Sequence, residues 1–492
     1  MPEPFALYRR PLALLTDLYQ LTMACAAWKS GVHRREAVFH LHFRKNPFAG
    51  GYTVACGLAA AVDYIRAFRL DDDDVAWLAG LEAADRSPLF DRDFLRWLQA
   101  TPLEVDVDAV PEGTVVFPHE PLVRVQGPIV PCMLLETPLL NLINFPTLIA
   151  TKAARICHAA RGEPVIEFGL RRAQGVDGAI TASRAAYVGG CAATSNVLAA
   201  RLYGIPARGT HAHSWVMLFD DEREAFETYA QAMPANCVFL VDTYDTLAGV
   251  RNAIEVGKAL RARGHELLGV RLDSGDLAWL SLEARRMLDA AGFPQAAILA
   301  SNDLDEGIIA SLKEQGAAIG VWGVGTRLAT GFDEPALGGV YKLAAVREPG
   351  GPWRHRIKLS EQALKISTPG ILAVRRYTEN GLFSADLVYD EEAGLRAGSA
   401  PVMVDPLDPT RRRKLPEGAP FLDLLVPVFR QGKAIYEPPP AAAARALAAS
   451  QLASFHSGIK RIVHPHVYPV GLERGLHEMR TRLILESRGV AA

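Results

Sequence analysis

The chain has 492 residues, 49% of them hydrophobic and 22% charged, with 53 Lys and Arg against 55 Asp and Glu for a net charge of −2. That length and apolar content suffice for two or three domains with sizeable cores; the balanced charge excludes a broad polyanion-binding face, so no nucleic-acid partner is expected and any anionic ligand must be held locally. The six cysteines (Cys25, Cys56, Cys132, Cys157, Cys191 and Cys237) offer no C-x-x-C spacing for zinc or a redox pair and read as reduced core thiols.

In chain order, MPEPFALYRRPLALLTDLYQ carries a basic pair but only short apolar runs, and no later stretch reads as a membrane span of about 20 residues, so a soluble cytoplasmic protein without a membrane partner is expected. The first region, 1–145, mixes helical and strand patterns. DDDDVAWLAGLEAADR predicts a helix whose leading aspartates cap free N–H groups and suit the helix dipole; consecutive helical residues point in different directions, which disfavours a metal cluster there. VDAVPEGTVVFPHEPLVRVQGPI alternates between Pro and Gly turns and predicts β hairpins.

A second region, 146–345, repeats strand then helix: NCVFLVDTYDT into LAGVRNAIEVGKALRARG, HELLGVRLDSGD into LAWLSLEARRMLDAAG, QAAILASNDLD into EGIIASLKEQG, and AAIGVWGVGT into a Gly-rich turn. The strand ends at Asp242, Asp273 and Asn302 lie 31 and 29 residues apart. This is the length of a βα unit, so an α/β class with a parallel sheet, in the form of a barrel, is expected. The last region, 346–492, is less regular. RRRK at 411–414 reads as a solvated loop, and EPPPAAAARALAAS as a rigid turn followed by a helix.

Barrel active sites lie at the C-terminal ends of the strands, and the polar residues collect there. They are Arg171 and Arg172; Thr210, His211, His213 and Ser214; Asp242; Arg271, Asp273 and Asp276; Ser301, Asn302 and Asp303; and the turns Gly323-Val324-Gly325-Thr326 and Gly338-Gly339 with Lys342. Glycines followed by a hydroxyl leave backbone N–H groups free to converge on phosphate oxygens. Two such turns near Arg and Lys suggest a phosphate-bearing substrate. Asp242, Asp273 and Asp276 can then serve Mg²⁺, which prefers oxygen ligands, or can each cap a helix; Asp276, directly before LAWLSLEARRML, fits the cap best. His211 and His213, two residues apart, lack a third zinc ligand at suitable spacing, and no G-x-S-x-G elbow supports a hydrolase triad. These residues alone reach a barrel enzyme acting on phosphates.

TDLYQLTMA, FHLHFRKNPFAGGY, EFGLRRAQG, the AHS of GTHAHSW, VDTYDT, VRLDSGDL, SND, GVGT and GGVYKL follow one another over roughly residues 12 to 370, and in this order they resemble nicotinate phosphoribosyltransferases. The resemblance implies an α/β N-terminal domain, an irregular αβ barrel of the type II phosphoribosyltransferase kind, and a C-terminal region packing back on the N-terminal domain. It also implies a homodimer with shared active sites that makes nicotinate mononucleotide, on the way to NAD, from nicotinate and phosphoribosyl pyrophosphate, with Mg²⁺ and coupled ATP hydrolysis. By the same resemblance, Tyr19 stacks on the pyridine ring of the partner subunit's site. Arg171 and Arg271 contact nicotinate and the ribosyl pyrophosphate, with Thr210 beside the nicotinate. Ser214, Ser301 and Asn302 join the substrate site. Gly323, Gly325 and Thr326, with Gly338 and Gly339, cradle the 5′-phosphate; Asp242 and Asp273 position the ribose or its Mg²⁺; and His213 accepts a phosphoryl group from ATP. His213, Asp273 and Arg271 carry the catalysis. His211 departs from the family pattern and is assigned a supporting or surface role. Ser195 stands where nicotinamide-using relatives place an aspartate, so nicotinate is expected as the substrate.

Two other readings are possible. A Mg²⁺-dependent barrel lyase or phosphohydrolase leaves Tyr19 and the two arginines without a purpose. A silent sensor of NAD precursors has no chemical need for His213, Arg171, Arg271 and GVGT together.

Overall fold

The computed structural model describes residues 11–396 and 400–490. The strand-then-helix repeat is present in register with the sequence pattern. Its six short strands are β1 (Val165–Glu167), β2 (Ala193–Thr194), β3 (Val238–Leu240), β4 (Gly269–Leu272), β5 (Ala297–Ala300) and β6 (Val321–Val324). Helices Thr246–Ala262, Leu277–Ala290 and Glu306–Glu314 follow β3, β4 and β5. Each begins on an aspartate whose carboxylate accepts a backbone N–H three residues on: Asp245 from Ala248 at 2.7 Å, Asp276 from Trp279 at 3.1 Å and Asp305 from Ile308 at 2.8 Å. These caps satisfy donors that the first helical turn leaves free.

The strands are parallel and hydrogen-bonded in the order β2-β1-β6-β5-β4-β3. Because the last strand returns to the first, this order is a circular permutation of the chain order, as a barrel opened along one line gives. On one side of that line β2 is extended by a parallel bridge from Thr194 to Ala207; on the other stands β3. The class is therefore α/β with a parallel sheet, as expected. Full closure into a barrel is not made by strand pairing among the described residues.

This sheet belongs to one of two compact units, Leu148–Pro335 with Pro440–Ala446. The other unit comprises the described residues up to Thr147, Ala336–Pro439 and those from Leu447 onward. In that unit TDLYQLTMA opens the helix Leu18–Lys29. Asp71 caps the helix Asp72–Ala79 reciprocally, accepting from Asp74 N at 2.9 Å while the Asp74 carboxylate accepts from Asp71 N at 3.3 Å. The segment expected to form hairpins supplies strands Asp106–Ala109, Val115–Val116 and Val123–Pro128. The first and third pair antiparallel inside a seven-stranded sheet, and the second pairs with Thr53–Val54.

Two expectations need correction. RRRK is not a loop: Arg412–Lys414 is the edge strand of a six-stranded sheet, with Arg413 donating to the Ser384 carbonyl at 3.0 Å and to Glu379 at 2.9 Å. Basic side chains are common on edge strands because they discourage further pairing. Nor is the chain without a long apolar helix. Ile129–Ala159, interrupted in sequence by Pro131, Glu136, Pro138 and Pro146, is long and apolar enough by length and composition to cross a membrane, but 56% of its most apolar window is buried inside the fold. Burial of that kind is what a core helix shows.

Candidate active site

Strand period brings the site together. Along β4, Val270 and Leu272 are buried on one face, so Arg271 projects to the other. Its guanidinium joins three strand ends: Nε donates to Ser301 Oγ at 2.9 Å, Nη1 to Thr210 Oγ1 at 3.0 Å and Nη2 to Asp273 Oδ1 at 2.9 Å. Of the five donors of a planar guanidinium, these partners use three. Asp273 also accepts from the Ser301 hydroxyl. Burial raises the Asp273 carboxyl, but the Ser301 hydrogen bond and the Arg271 charge outweigh it and hold the carboxyl below its ordinary range.

Asp242, just beyond β3, accepts from Asp273 N at 2.9 Å and from Ser274 Oγ at 2.6 Å, both through Oδ2; its Oδ1 is buried with no hydrogen-bond partner among the described residues. The helix after β3 approaches so closely here that a Cβ on Gly249 would lie 2.1 Å from the Val241 carbonyl oxygen. Only glycine allows that contact, which fixes the turn carrying Asp242.

The two histidines of GTHAHSW part company. His213 starts the short helix His213–Val216, with Nδ1 at 3.2 Å from Thr243 Oγ1 and Nε2 at 3.6 Å from Asp273 Oδ2. It is half-exposed at the strand ends. His211 is buried at 8% exposure among Phe226, Tyr229 and Phe239, with ring centroids 5.9, 5.2 and 6.1 Å away. Its Nε2 lies 3.2 Å from Leu240 N. Burial lowers its pKa to about 4, so the ring is neutral and Nε2 accepts. Of the two roles expected for His211, its burial excludes the surface one.

Three family models match this chain. The nicotinate phosphoribosyltransferase N-terminal domain covers residues 14–144, the nicotinate phosphoribosyltransferase family 164–347, and the nicotinate phosphoribosyltransferase C-terminal domain 372–480. The Bacillus subtilis (strain 168) nicotinate phosphoribosyltransferase is 41% identical over 485 residues, 96% of each chain. The chain belongs to the nicotinate phosphoribosyltransferase family. The Homo sapiens nicotinate phosphoribosyltransferase is 40% identical over 418 residues, 74% of this chain and 76% of that one. The crystal structure of human nicotinic acid phosphoribosyltransferase superposes with a TM-score of 0.82, covering 95% of this chain and 99% of that chain at 34% identity. Nicotinate-nucleotide pyrophosphorylase from Pyrococcus furiosus shares the fold, with a TM-score of 0.67 at 23% identity over 90% of this chain and 96% of that one.

The remaining expected residues are spread over the strand ends and the other unit. Arg171 and Arg172 lie exposed on a helical turn, Leu170–Arg172, after β1, and Ser214 is exposed beside His213. Asn302 and Asp303, after β5, both take left-handed backbone, with φ of 91° and 44°. Such conformations cost energy in residues with a side chain and cluster at functional loops. Asp276 is the helix cap described above. Gly323 lies inside β6, where a Cβ would come within 2.6 Å of the Phe168 ring, while Gly325 and Thr326 begin the short helix Thr326–Ala329. Tyr19, Gly338, Gly339 and Lys342 belong to the other unit. Tyr19 is exposed, and Gly338 takes a φ of 71° with open space where a Cβ would stand. A Cβ on Gly339 would collide with Asn144, and burial, with Arg44 and Lys358 nearby, lowers the Lys342 pKa.

Sequence reasoning missed Phe168 and Glu167. A cavity of about 820 Å³ runs along the sheet from the strand starts at Asn236, Val238, Leu268, Ala297 and Val321 to Phe168, Ser195 and Thr210. Ile166 and Phe168 share one face of the chain by the two-residue period, which was the available signal. Glu167 points the other way and is buried, accepting from Gly169 N, from Ser183 Oγ at 2.8 Å and from Thr194 Oγ1 at 2.6 Å. It ties the Arg171 turn to the segment that presents Ser195.

Proposed function

We infer that this chain forms nicotinate mononucleotide and pyrophosphate from nicotinate and phosphoribosyl pyrophosphate, with ATP as co-substrate, in the salvage route to NAD. The observation that carries the reading is the Arg271 network at the strand ends, joining Thr210, Ser301 and Asp273 with His213 across Asp273, in a chain of this family.

The pyridine nitrogen attacks C1 of the ribose as pyrophosphate leaves. That nitrogen carries no proton, so no general base is needed; the protein has to align the ring and neutralise the leaving group. Thr210 lies beside the ring. Arg171 and the two unengaged donors of Arg271 receive the acid or pyrophosphate oxygens. Gly325 and Thr326 meet the 5′-phosphate, with Gly323 beneath Phe168. Ser214, Ser301 and Asn302 complete the substrate contacts. Tyr19 stacks on the ring of a partner subunit's site in a homodimer, and the enzyme works in the cytoplasm.

The donor set fits Mg²⁺. Asp242 Oδ1 is a buried carboxylate oxygen without a hydrogen-bond partner among the described residues, and no group of three His, Cys, Asp or Glu residues suited to a metal occurs among them. Asp242 and Asp273 would hold the ion through few protein oxygens, and it would supply positive charge to the pyrophosphate. In the tautomer whose Nδ1–H donates to Thr243 Oγ1, the Nε2 lone pair of His213, beside Asp273, takes the γ-phosphoryl group of ATP as ADP leaves. The added negative charge would tighten the cation-bound substrate.

The test is purified protein with labelled nicotinate, phosphoribosyl pyrophosphate and Mg²⁺, with and without ATP. Labelled mononucleotide, formed faster with ATP, is expected; none under either condition would refute the reading.

A further inference from the structure

We propose that His211 is a positioning residue that latches the open line of the parallel sheet and so holds the Thr210–His213 segment in working register against β3 and Asp242; this rests on the functional reading above. Backbone N–H groups alternate sides along a strand. Val241 N donates to the Arg271 carbonyl at 3.2 Å, toward β4. Leu240 N therefore points away from β4, toward the side where β3 has no strand partner among the described residues. Leu240 is fully buried, so that N–H has no water to fall back on. His211 Nε2, 3.2 Å away, takes it.

One imidazole thus supplies the acceptor that a neighbouring strand would otherwise provide. The ring is held by Phe226, Tyr229 and Phe239, and on its other side Nδ1 lies 3.4 Å from the Ala212 carbonyl oxygen, which fixes the tautomer that leaves Nε2 as acceptor. The residues on either side are the ones the chemistry uses. Thr210 receives the Arg271 hydrogen bond at 3.0 Å, and His213 faces Asp273 at 3.6 Å. Leu240 in turn lies two residues before Asp242. A slip at the latch moves the nicotinate-side hydroxyl and the phosphoryl acceptor together relative to Asp242 and Asp273.

The experiment compares the full-length protein with its His211→Gln and His211→Phe variants. Glutamine places a carbonyl oxygen near the position of Nε2, whereas phenylalanine keeps the aromatic packing and removes the acceptor. In His211→Phe, assayed well below its unfolding temperature, the nicotinate KM should rise about tenfold and the ATP hydrolysed per mononucleotide formed should depart from the wild-type ratio; His211→Gln should stay within about threefold of wild type on both. Wild-type KM and coupling ratio in His211→Phe would overturn the proposal, as would a His211→Gln variant no better than His211→Phe. If His211→Phe does not fold, His211→Asn, whose amide falls short of Leu240, takes its place with the same outcomes. Amide hydrogen exchange over 238–242 separates this proposal from the functional reading. Slow exchange in wild type and His211→Gln with fast exchange in the acceptor-less variant supports the latch where none of the proteins turns nicotinate over, and equal exchange in all three overturns it.

Discussion

Arg271→Lys keeps the positive charge and removes the fork. In the native site three separate nitrogens reach Ser301 Oγ, Thr210 Oγ1 and Asp273 Oδ1 at 2.9, 3.0 and 2.9 Å. A single ammonium on a shorter stem cannot span all three; it would keep the Asp273 ion pair and lose the bonds to the two hydroxyls. Hydrogen bonds from a charged donor are worth about 1.5–3 kcal/mol each. The Arg271 side chain is mostly buried, but the lysine ammonium keeps the charge beside both hydroxyls, so the low end applies, giving about 3 kcal/mol in transition-state stabilisation, or roughly 150-fold in kcat/KM. Mononucleotide formation at varied nicotinate and phosphoribosyl pyrophosphate gives the number, with thermal unfolding alongside to show that the fold is intact. A variant folded like wild type and within about threefold of its kcat/KM would refute the claim that the fork organises the site.

His213→Ala should abolish coupling to ATP while leaving weak transfer; measured ATP hydrolysis that still tracks product would rule out His213 as the phosphoryl acceptor. Ser195→Asp should shift the ratio of kcat/KM from nicotinate toward nicotinamide by tenfold or more, since a carboxylate at the cavity wall repels the acid; an unchanged ratio counts against Ser195 as the discriminator. Asp276→Ala should cost about 1 kcal/mol in denaturant unfolding and leave kcat nearly unchanged, because the side chain caps Leu277–Ala290; a large kcat loss would point instead to a metal or substrate role. For His211, burial lowers the pKa from 6.5 to about 4, so the unfolded chain binds the extra proton first as pH falls. The stabilisation is full above 6.5 and lost as pH drops through 4, up to about 3 kcal/mol. Unfolding in urea at pH 7.5 and 4.5 should therefore show a steeper acid loss for wild type than for His211→Gln, and equal losses would contradict the neutral, buried ring.

Local rules made much of this legible. The βα units are written in short apolar runs followed by helical periods, and the Asp71 and Asp276 caps follow from an aspartate directly before a helix. What local pattern does not carry is which strand neighbours which. The return of β6 to β1 and the open line beside β3 depend on tertiary pairing, so the service His211 gives to Leu240 could not be read from GTHAHSW. Gly323 reads as part of a phosphate-binding turn, yet its strand position and missing side chain also make room for the Phe168 ring. RRRK reads as a solvated run because its charges say nothing about an edge strand beside Val402–Val404. Arg271, by contrast, was visible from alternation alone, since a charge between Val270 and Leu272 must leave their face.

The central claim is tested most directly by offering the purified protein equal nicotinate and nicotinamide together with phosphoribosyl pyrophosphate, Mg²⁺ and ATP, and separating the two mononucleotides. The account predicts nicotinate mononucleotide in large excess, with pyrophosphate released in equal amount and the rate falling when ATP is left out. Nicotinamide mononucleotide as the main product, or no mononucleotide at all, would contradict it.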